Sequence, residues 1–166
     1  MQARPCWRDC EKNAQSQVTR CHSTVANFET DEVFTAAFRV FSVISYLITE
    51  KALERNLDAI QRSLKPGGTF YVDVPSPVLF TSRSFESRGL IESAVLESEG
   101  ANVYRYRESV TVTKRGRTQR YEDDFLIRYW EPALFLERAA SHDFVFEEEL
   151  DGFAGTGSNY FCLTRN

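Results

Sequence analysis

The clearest pattern of apolar and polar positions lies in the segment 36–74. Residues 36–45 form a nearly continuous apolar run, which is typical of a strand buried on both faces of a parallel sheet. Thr49 can cap a helix that follows, and one apolar stripe runs along that helix, formed by Leu53, Leu57, Ile60 and Leu64. Pro66-Gly67-Gly68 ends the helix, and the apolar residues 69–74 follow as a second strand. The segment therefore predicts a β-α-β unit with a parallel pair of strands.

The second half of the chain shows a different periodicity. Residues 85–99 are predicted to form a helix, which Gly89 weakens. Residues 103–113 alternate between apolar and polar, and a second alternating stretch follows the connection Lys114-Arg115-Gly116-Arg117, which predicts an antiparallel hairpin. Glu131-Pro132 opens a short helix that runs to Ala140. The last two predicted strands are residues 144–146 and 160–163.

These elements predict one domain over residues 1–166, because no composition shift or linker divides the chain. Residues 1–17 are expected to be a tail or a weak helix, and residues 18–22 a short strand. The β-α-β core occupies 18–75, the hairpin insertion 100–130, and the C-terminal helix and strands 131–166.

Composition indicates a globular chain. The 166 residues are 42% hydrophobic and 27% charged, and the thirteen Phe and seven Tyr supply enough apolar surface for a packed core. No window approaches eighteen uninterrupted apolar residues, so we expect no membrane span. The first 17 residues lack the apolar segment of a secretory signal, which predicts a cytoplasmic location with reduced thiols.

Two clusters have both a functional and a structural interpretation. Cys6, Cys10, Cys21 and His22 could together hold zinc, but their spacing matches no common zinc motif, so we expect free thiols and no metal. Six basic residues crowd the predicted hairpin and could grip a phosphate backbone. Acidic residues follow at once, and the chain has a net charge of −4, so we expect a solvated hairpin and no nucleic-acid partner.

Asp73 is the carboxylate in the most suggestive position. It lies at the carboxyl end of the second predicted strand, where open α/β sheets place their ligand crevices. Ser42, Ser45 and Tyr46 lie at the same end of the preceding strand. The alternative is that Asp73 only caps the loop that contains Pro75 and Pro77.

Three segments resemble class I S-adenosylmethionine (SAM)-dependent methyltransferases of the small-molecule type. Phe41-Ser42-Val43-Ile44-Ser45-Tyr46-Leu47, the turn Leu64-Lys65-Pro66-Gly67-Gly68 and the segment 70–74 are similar to the family's fourth strand, following helix and fifth strand. Residues 126–132 resemble the stretch before its last two strands, and the hairpin resembles its substrate-side insertion. The resemblance implies an α/β fold: an incomplete Rossmann-like methyltransferase sheet with an antiparallel hairpin insertion.

The same resemblance implies roles for individual residues. It places Phe41 and Ser42 on the cofactor side, with SAM as the cofactor. Asp73 and Tyr46 are the candidate catalytic residues, since a carboxylate or a tyrosine could remove the acceptor's proton. Arg128 and Tyr129 would bind the small-molecule acceptor.

The chain also departs from the family. No glycine precedes Gly67, so the glycine-rich cofactor loop, which lets the backbone approach SAM closely, has no counterpart. The family's first two strands are missing from the pattern as well. Removing them leaves an open strand edge in the middle of the sheet, which is an aggregation hazard unless something covers it.

Three interpretations follow from these departures. In the first, the chain is methyltransferase-like but inactive alone or altered in ligand binding. In the second, the N-terminal segment or a second copy of the chain completes the sheet and gives a homodimer with a partial site. In the third, the chain is a non-enzymatic α+β module that binds a small molecule or a protein.

Overall fold

The computed structural model describes residues 11–12, 19–20, 30, 33–151, 155 and 157–166. Its strands are β1 (Glu11–Lys12), β2 (Thr19–Arg20), β3 (Phe34–Arg39), β4 (Leu64–Pro75), β5 (Arg83–Ser87), β6 (Leu90–Gly100), β7 (Val103–Lys114), β8 (Arg117–Arg128), β9 (Phe144–Glu149) and β10 (Ser158–Arg165). Its helices are α1 (Glu50–Ser63) and α2 (Pro132–Ala140), with 3₁₀ turns at Val43–Tyr46 and Pro77–Phe80. None of these helices is long and apolar enough to cross a membrane.

The central sheet is mixed, with the strand order β3-β4-β10-β9. β3 and β4 run parallel and are joined by α1, which is the predicted β-α-β unit, and β10 pairs antiparallel with both β4 and β9. In α1 the Thr49 hydroxyl accepts a hydrogen bond from the Ala52 N–H at 3.1 Å, as the sequence predicts for its cap. α1 and α2 contribute to one apolar core with the sheet, and this core includes Leu53, Leu57, Phe70, Trp130 and Phe135.

The two glycines near the start of β4 are required for different reasons. Gly67 adopts a φ of 74°, in the left-handed region that favours glycine. At Gly68 a Cβ would lie 2.8 Å from the Lys65 carbonyl oxygen, so no side chain fits there. The glycines therefore lie in an irregular stretch of β4, where its pairing with β3 shifts register between Leu64 and Thr69.

The first predicted strand is shorter than its apolar run. β3 ends at Arg39, and residues up to Tyr46 leave the sheet in a tight turn. Phe41 and Ser42 both have left-handed φ values, 64° and 59°, which a continuing strand cannot accommodate. The prediction from hydrophobicity alone therefore placed the end of this strand several residues too far along the chain.

The prediction of a helix over residues 85–99 was wrong. β5 and β6 occupy this segment. They extend the predicted antiparallel hairpin, which is present as β7 and β8, to a four-stranded antiparallel sheet of order β5-β6-β7-β8, here called the insertion sheet. Gly89, with a φ of 86°, closes the turn between β5 and β6. The long register with β7 overrides the local preference for a helix.

The insertion sheet pairs its crowded charges across strands. Arg107 forms an ion pair with Glu97 of β6 at 2.6 Å, and Arg105 contacts both Glu99 and Asp124, at 2.9 and 3.0 Å. Arg105 and Arg107 of the basic cluster are therefore matched by carboxylates on the neighbouring strands.

The N-terminal predictions fall mostly on residues that the structure does not describe. β1 and β2 pair antiparallel, so part of the predicted strand at 18–22 and part of the predicted tail are in fact a short two-strand ladder. The cysteine cluster Cys6, Cys10, Cys21 with His22 lies outside the described residues. Within them, no group of His, Cys, Asp or Glu is arranged to hold a metal ion.

Candidate functional site

The turn after β3 is held in place by a carboxylate on the adjacent strand. Phe41 and Ser42 form the left-handed pair, and the Ser42 N–H donates a 2.8 Å hydrogen bond to Oδ2 of Asp73. The Ser42 carbonyl then accepts from the Ser45 N–H at 2.9 Å and starts the 3₁₀ turn Val43–Tyr46. Asp73 thereby fixes an unfavourable backbone conformation at the carboxyl end of the parallel strand pair.

Asp73 is itself buried, with 1% of its surface exposed. Burial raises the pKa of this carboxyl group, while the Ser42 N–H and the positive charge of Arg39 oppose the rise. Its Oδ1 atom has no hydrogen-bond partner among the residues that the structure describes. Asp73 therefore shapes the turn after β3 that borders the cavity, whereas the cap interpretation concerned the loop with Pro75 and Pro77.

A cavity of about 330 Å³ lies between this turn and the insertion sheet. The turn contributes Phe41, Ser42, Ser45 and Tyr46, and the end of β4 and the following 3₁₀ turn contribute Pro75, Leu79 and Phe80. The insertion sheet supplies the opposite wall with Arg83, Tyr106, Glu108, Phe125 and Ile127. Its volume suits a small molecule, and aromatic rings form much of its lining.

One wall of the cavity carries a chain of polar contacts. Nη2 of Arg83 donates to the Tyr106 hydroxyl at 3.2 Å, and that hydroxyl donates to Oε1 of Glu108 at 2.8 Å. Arg83 also lies 3.8 Å from the Glu92 carboxylate. Burial, followed by the hydrogen bond to Glu108, raises the pKa of Tyr106 to about 12, so its hydroxyl stays protonated and donates at neutral pH.

Three of the six predicted site residues line this cavity, namely Phe41, Ser42 and Tyr46. Asp73 touches it only through Ser42. Arg128 does not reach it, because its guanidinium stacks 3.9 Å from the centre of the Trp130 ring and pairs with Glu50 at 3.5 Å.

Tyr129 does not line the cavity but packs against a residue that does. Its ring packs edge-on against Phe80, with the two centroids 5.3 Å apart, and Phe80 in turn lines the cavity. Burial raises the pKa of the Tyr129 hydroxyl, so like Tyr106 it stays protonated at neutral pH.

Sequence reasoning missed the polar wall formed by Arg83, Tyr106 and Glu108. The alternation of β7 already sets Tyr106 and Glu108 on one face, two residues apart, and this was the available signal. Arg83 had no such signal, because its contact with Tyr106 depends on the pairing of β5 with β6 and of β6 with β7.

Comparisons with known proteins identify the class of fold. No family model and no curated protein matches the chain. Solved structures do match it. A SAM-dependent methyltransferase from Clostridium acetobutylicum aligns at a TM-score of 0.78 and 13% identity, over 89% of this chain and 64% of that one.

Two further solved structures also match the chain. DesVI of Streptomyces venezuelae aligns at a TM-score of 0.72 and 22% identity, over 87% of this chain and 64% of its own length. A SAM-bound amino pentose methyltransferase from Micromonospora echinaspora, involved in calicheamicin biosynthesis, gives 0.69 and 18%, over 87% and 63%. The chain therefore has a methyltransferase-like fold and spans less than two thirds of the length of these structures.

The residues described here fit only part of a SAM site. The strand-end turn at Phe41–Ser42 borders the cavity, but the described part of the chain offers no glycine before Gly67 and no strand beside the outer edge of β3. A loop that lets the backbone approach a cofactor closely would have to come from there. We therefore derive no catalytic step through SAM.

Proposed function

We propose that this chain is a small-molecule methyltransferase-like protein whose described residues form the acceptor-binding side, and that it does not hold SAM by itself. The observation that carries the proposal is the cavity between the β3 turn and the insertion sheet. It lies at the carboxyl end of a parallel strand pair, where open α/β sheets bind ligands. The methyltransferase-like fold of the neighbouring structures supports it.

The cavity lining favours an acceptor that carries a positively charged amine. Aromatic rings surround it, formed by Phe41, Tyr46, Phe80, Tyr106 and Phe125, and such rings attract cations through their faces. Two carboxylates, Glu108 and Glu92, stand against the single guanidinium of Arg83, which leaves this wall with net negative charge. An amino pentose is the acceptor class named for one of the structural neighbours.

Residue roles in this proposal follow from distance to the cavity. Glu108 binds the amine, and the Tyr106 hydroxyl orients the Glu108 carboxylate. Tyr46 lines the cavity and remains the candidate proton acceptor, while Asp73 is a positioning residue that holds Ser42. Tyr129 packs against Phe80, which lines the cavity. Neither Tyr129 nor Arg128 touches the ligand.

The test is calorimetric titration of the purified chain with benzylamine, which combines an aromatic ring with a cationic amine. We expect binding, and we expect Glu108→Gln to weaken it about tenfold, or about 1.4 kcal/mol. Benzyl alcohol is the neutral control ligand, and Glu137→Gln, a change in α2 away from the cavity, is the control variant. Equal affinity for the amine and the alcohol would refute the acceptor assignment.

The cofactor part of the proposal is tested separately with S-adenosylhomocysteine. We expect no heat of binding at ligand concentrations that saturate typical methyltransferases. Tight binding would overturn the proposed loss of the cofactor site while leaving the amine assignment intact.

A non-enzymatic binding module is the second candidate function. The outer edge of β3 favours it, since Phe34 and Phe38 are exposed there, as is expected of a surface that binds another polypeptide. Methyl transfer from SAM to benzylamine would exclude this candidate, and a chain that binds no benzylamine would favour it over the amine-binding proposal. A cytoplasmic location stays a prediction from the sequence.

A further inference from the structure

Hydrogen-bond acceptors are scarce on the polar wall of the cavity. The Tyr106 hydroxyl is engaged on both sides, because it accepts from Arg83 and donates to one carboxylate oxygen of Glu108. The opposite wall adds the hydroxyls of Ser42 and Ser45, and Ser45 is only 5% exposed. A primary ammonium group brings three N–H donors, and each donor that leaves water without a new partner costs free energy. The polar wall therefore offers a primary amine fewer acceptors than it needs.

Three of the aromatic rings that line the cavity form a column. The centre of the Tyr46 ring lies 5.5 Å from that of Phe125, and Phe125 stacks on Tyr106 with centres 5.0 Å apart. The guanidinium of Arg83 lies 5.9 Å from the centre of the Tyr106 ring, which is within the range of a cation–π contact. One end of the column therefore already carries a cation, and the other end is the Tyr46 ring.

The Tyr46 end of the column has exposed aromatic surface. Tyr46 is 54% exposed and Phe41, on the same turn, is 88% exposed, although both side chains line the cavity. Phe41 also has a left-handed φ of 64°, so the fold presents this ring to solvent at a cost in backbone strain. Exposed aromatic surface beside a cavity is covered when a ligand with apolar surface binds there. The cavity therefore favours a ligand whose cationic group carries apolar surface of its own.

We propose that this cavity binds a quaternary ammonium group more tightly than a primary amine, so that its tightest ligand is the fully methylated form of the acceptor. This preference rests on the proposed function, because it concerns the same cavity and the same positive charge. Methylation removes the N–H donors for which the polar wall lacks acceptors, and the added methyl groups contact ring faces while the charge remains. Glu108 attracts both forms, since its carboxylate acts through its charge.

The test is calorimetric titration of the full chain with benzylamine and benzyltrimethylammonium, and benzyl alcohol is the neutral control. We expect the quaternary ligand to bind about tenfold more tightly than benzylamine, as the strength of cation–π contacts allows. If it binds no more tightly than benzylamine while both bind more tightly than benzyl alcohol, the preference is overturned and the proposed function stands. Equal affinity for all three ligands, or no binding of any, would overturn both.

Variants test whether the cavity rings produce this preference. Tyr46→Leu keeps an apolar side chain but removes the ring face, so we expect it to abolish most of the tenfold difference between the two cations. Glu108→Gln should weaken both cations by a similar factor and preserve their ratio. Tyr121→Leu is the matched control, because Tyr121 is a similarly exposed tyrosine of the insertion sheet that does not line the cavity. An unchanged ratio in Tyr46→Leu, or an equal fall in Tyr121→Leu, would overturn the proposal.

A second pair of ligands separates charge from shape and needs no variant of the chain. Choline is compared with its neutral carbon analogue, in which a tert-butyl group replaces the trimethylammonium group. The two molecules have the same shape, and only choline carries a positive charge. We expect choline to bind more tightly, because the cavity rings and the Glu108 carboxylate both attract its charge. Equal affinity for the two would mean that the cavity selects apolar size alone, and the quaternary ammonium assignment would be wrong.

Discussion

The insertion sheet and the β3 edge differ in how their charged side chains are paired. In the insertion sheet, arginines lie opposite carboxylates on neighbouring strands, and the ion pairs are about half exposed. At the β3 edge, Arg39 is buried over the rings of Phe70 and Phe135, and its Nε and Nη2 have no hydrogen-bond partner among the described residues. Exposed charges are thus paired across strands in the first region, whereas the second region holds a buried charge whose donors are only partly paired in the described part of the chain.

The largest loss of stability is expected at Asp73, which holds the turn at Ser42 and offsets the charge of Arg39. Asp73→Ala removes the acceptor of the Ser42 N–H and the one described carboxylate that offsets the charge of Arg39, so we expect the free energy of unfolding to fall by about 3 kcal/mol. Urea unfolding measures this change. Asp123→Ala, at an exposed position of β8, is the control and should change little.

A further variant separates the two causes of that loss. Asp73→Asn keeps an oxygen for the Ser42 N–H but removes the charge, so it should lose clearly less stability than Asp73→Ala if the turn is the main contribution. An equal loss in both variants would show that the charge beside Arg39 matters more than the hydrogen bond.

The sequence predicts the elements whose signals are local. Thr49 as a cap, the apolar stripe of α1 and the Pro66-Gly67-Gly68 turn all act within a few residues, and the β-α-β unit follows from them. The pairing of β6 with β7 joins residues far apart in sequence, such as Leu90 and Val112. No local pattern reveals such a register, so the helix predicted at 85–99 was wrong.

The same distinction explains what could be predicted of the site. Phe41, Ser42 and Tyr46 follow the end of β3 and line the cavity, and their cofactor and catalytic roles stay predictions. Arg83 reaches Tyr106 at the cavity only through two successive strand pairings, so the sequence carries no local signal for its role. Arg128 matched a family position, but its guanidinium is held by Trp130 and Glu50.

An intermediate loss of stability is expected at Arg128, whose partly buried guanidinium contacts the Trp130 ring and the Glu50 carboxylate. Arg128→Met removes the stacking on Trp130 and the contact with Glu50, and should lower stability by about 1.5 kcal/mol without changing benzylamine affinity. Arg138→Met is the matched control, because Arg138 also pairs with Glu50, at 3.4 Å, but stacks on no ring in the described structure. A lower affinity for benzylamine in Arg128→Met would restore Arg128 to the ligand site.

The smallest loss of stability is expected for a change within the insertion sheet. Glu97→Gln breaks the 2.6 Å pair with Arg107, but both side chains are about half exposed and water screens their charges. We expect a loss of about 0.5 kcal/mol in urea unfolding, and less at high salt. Ser98→Ala, the neighbouring change on the same strand, is the control. A loss as large as that of Arg128→Met would mean that the exposed charge pairs of the insertion sheet hold its strands together, and the contrast between the two edges would no longer stand.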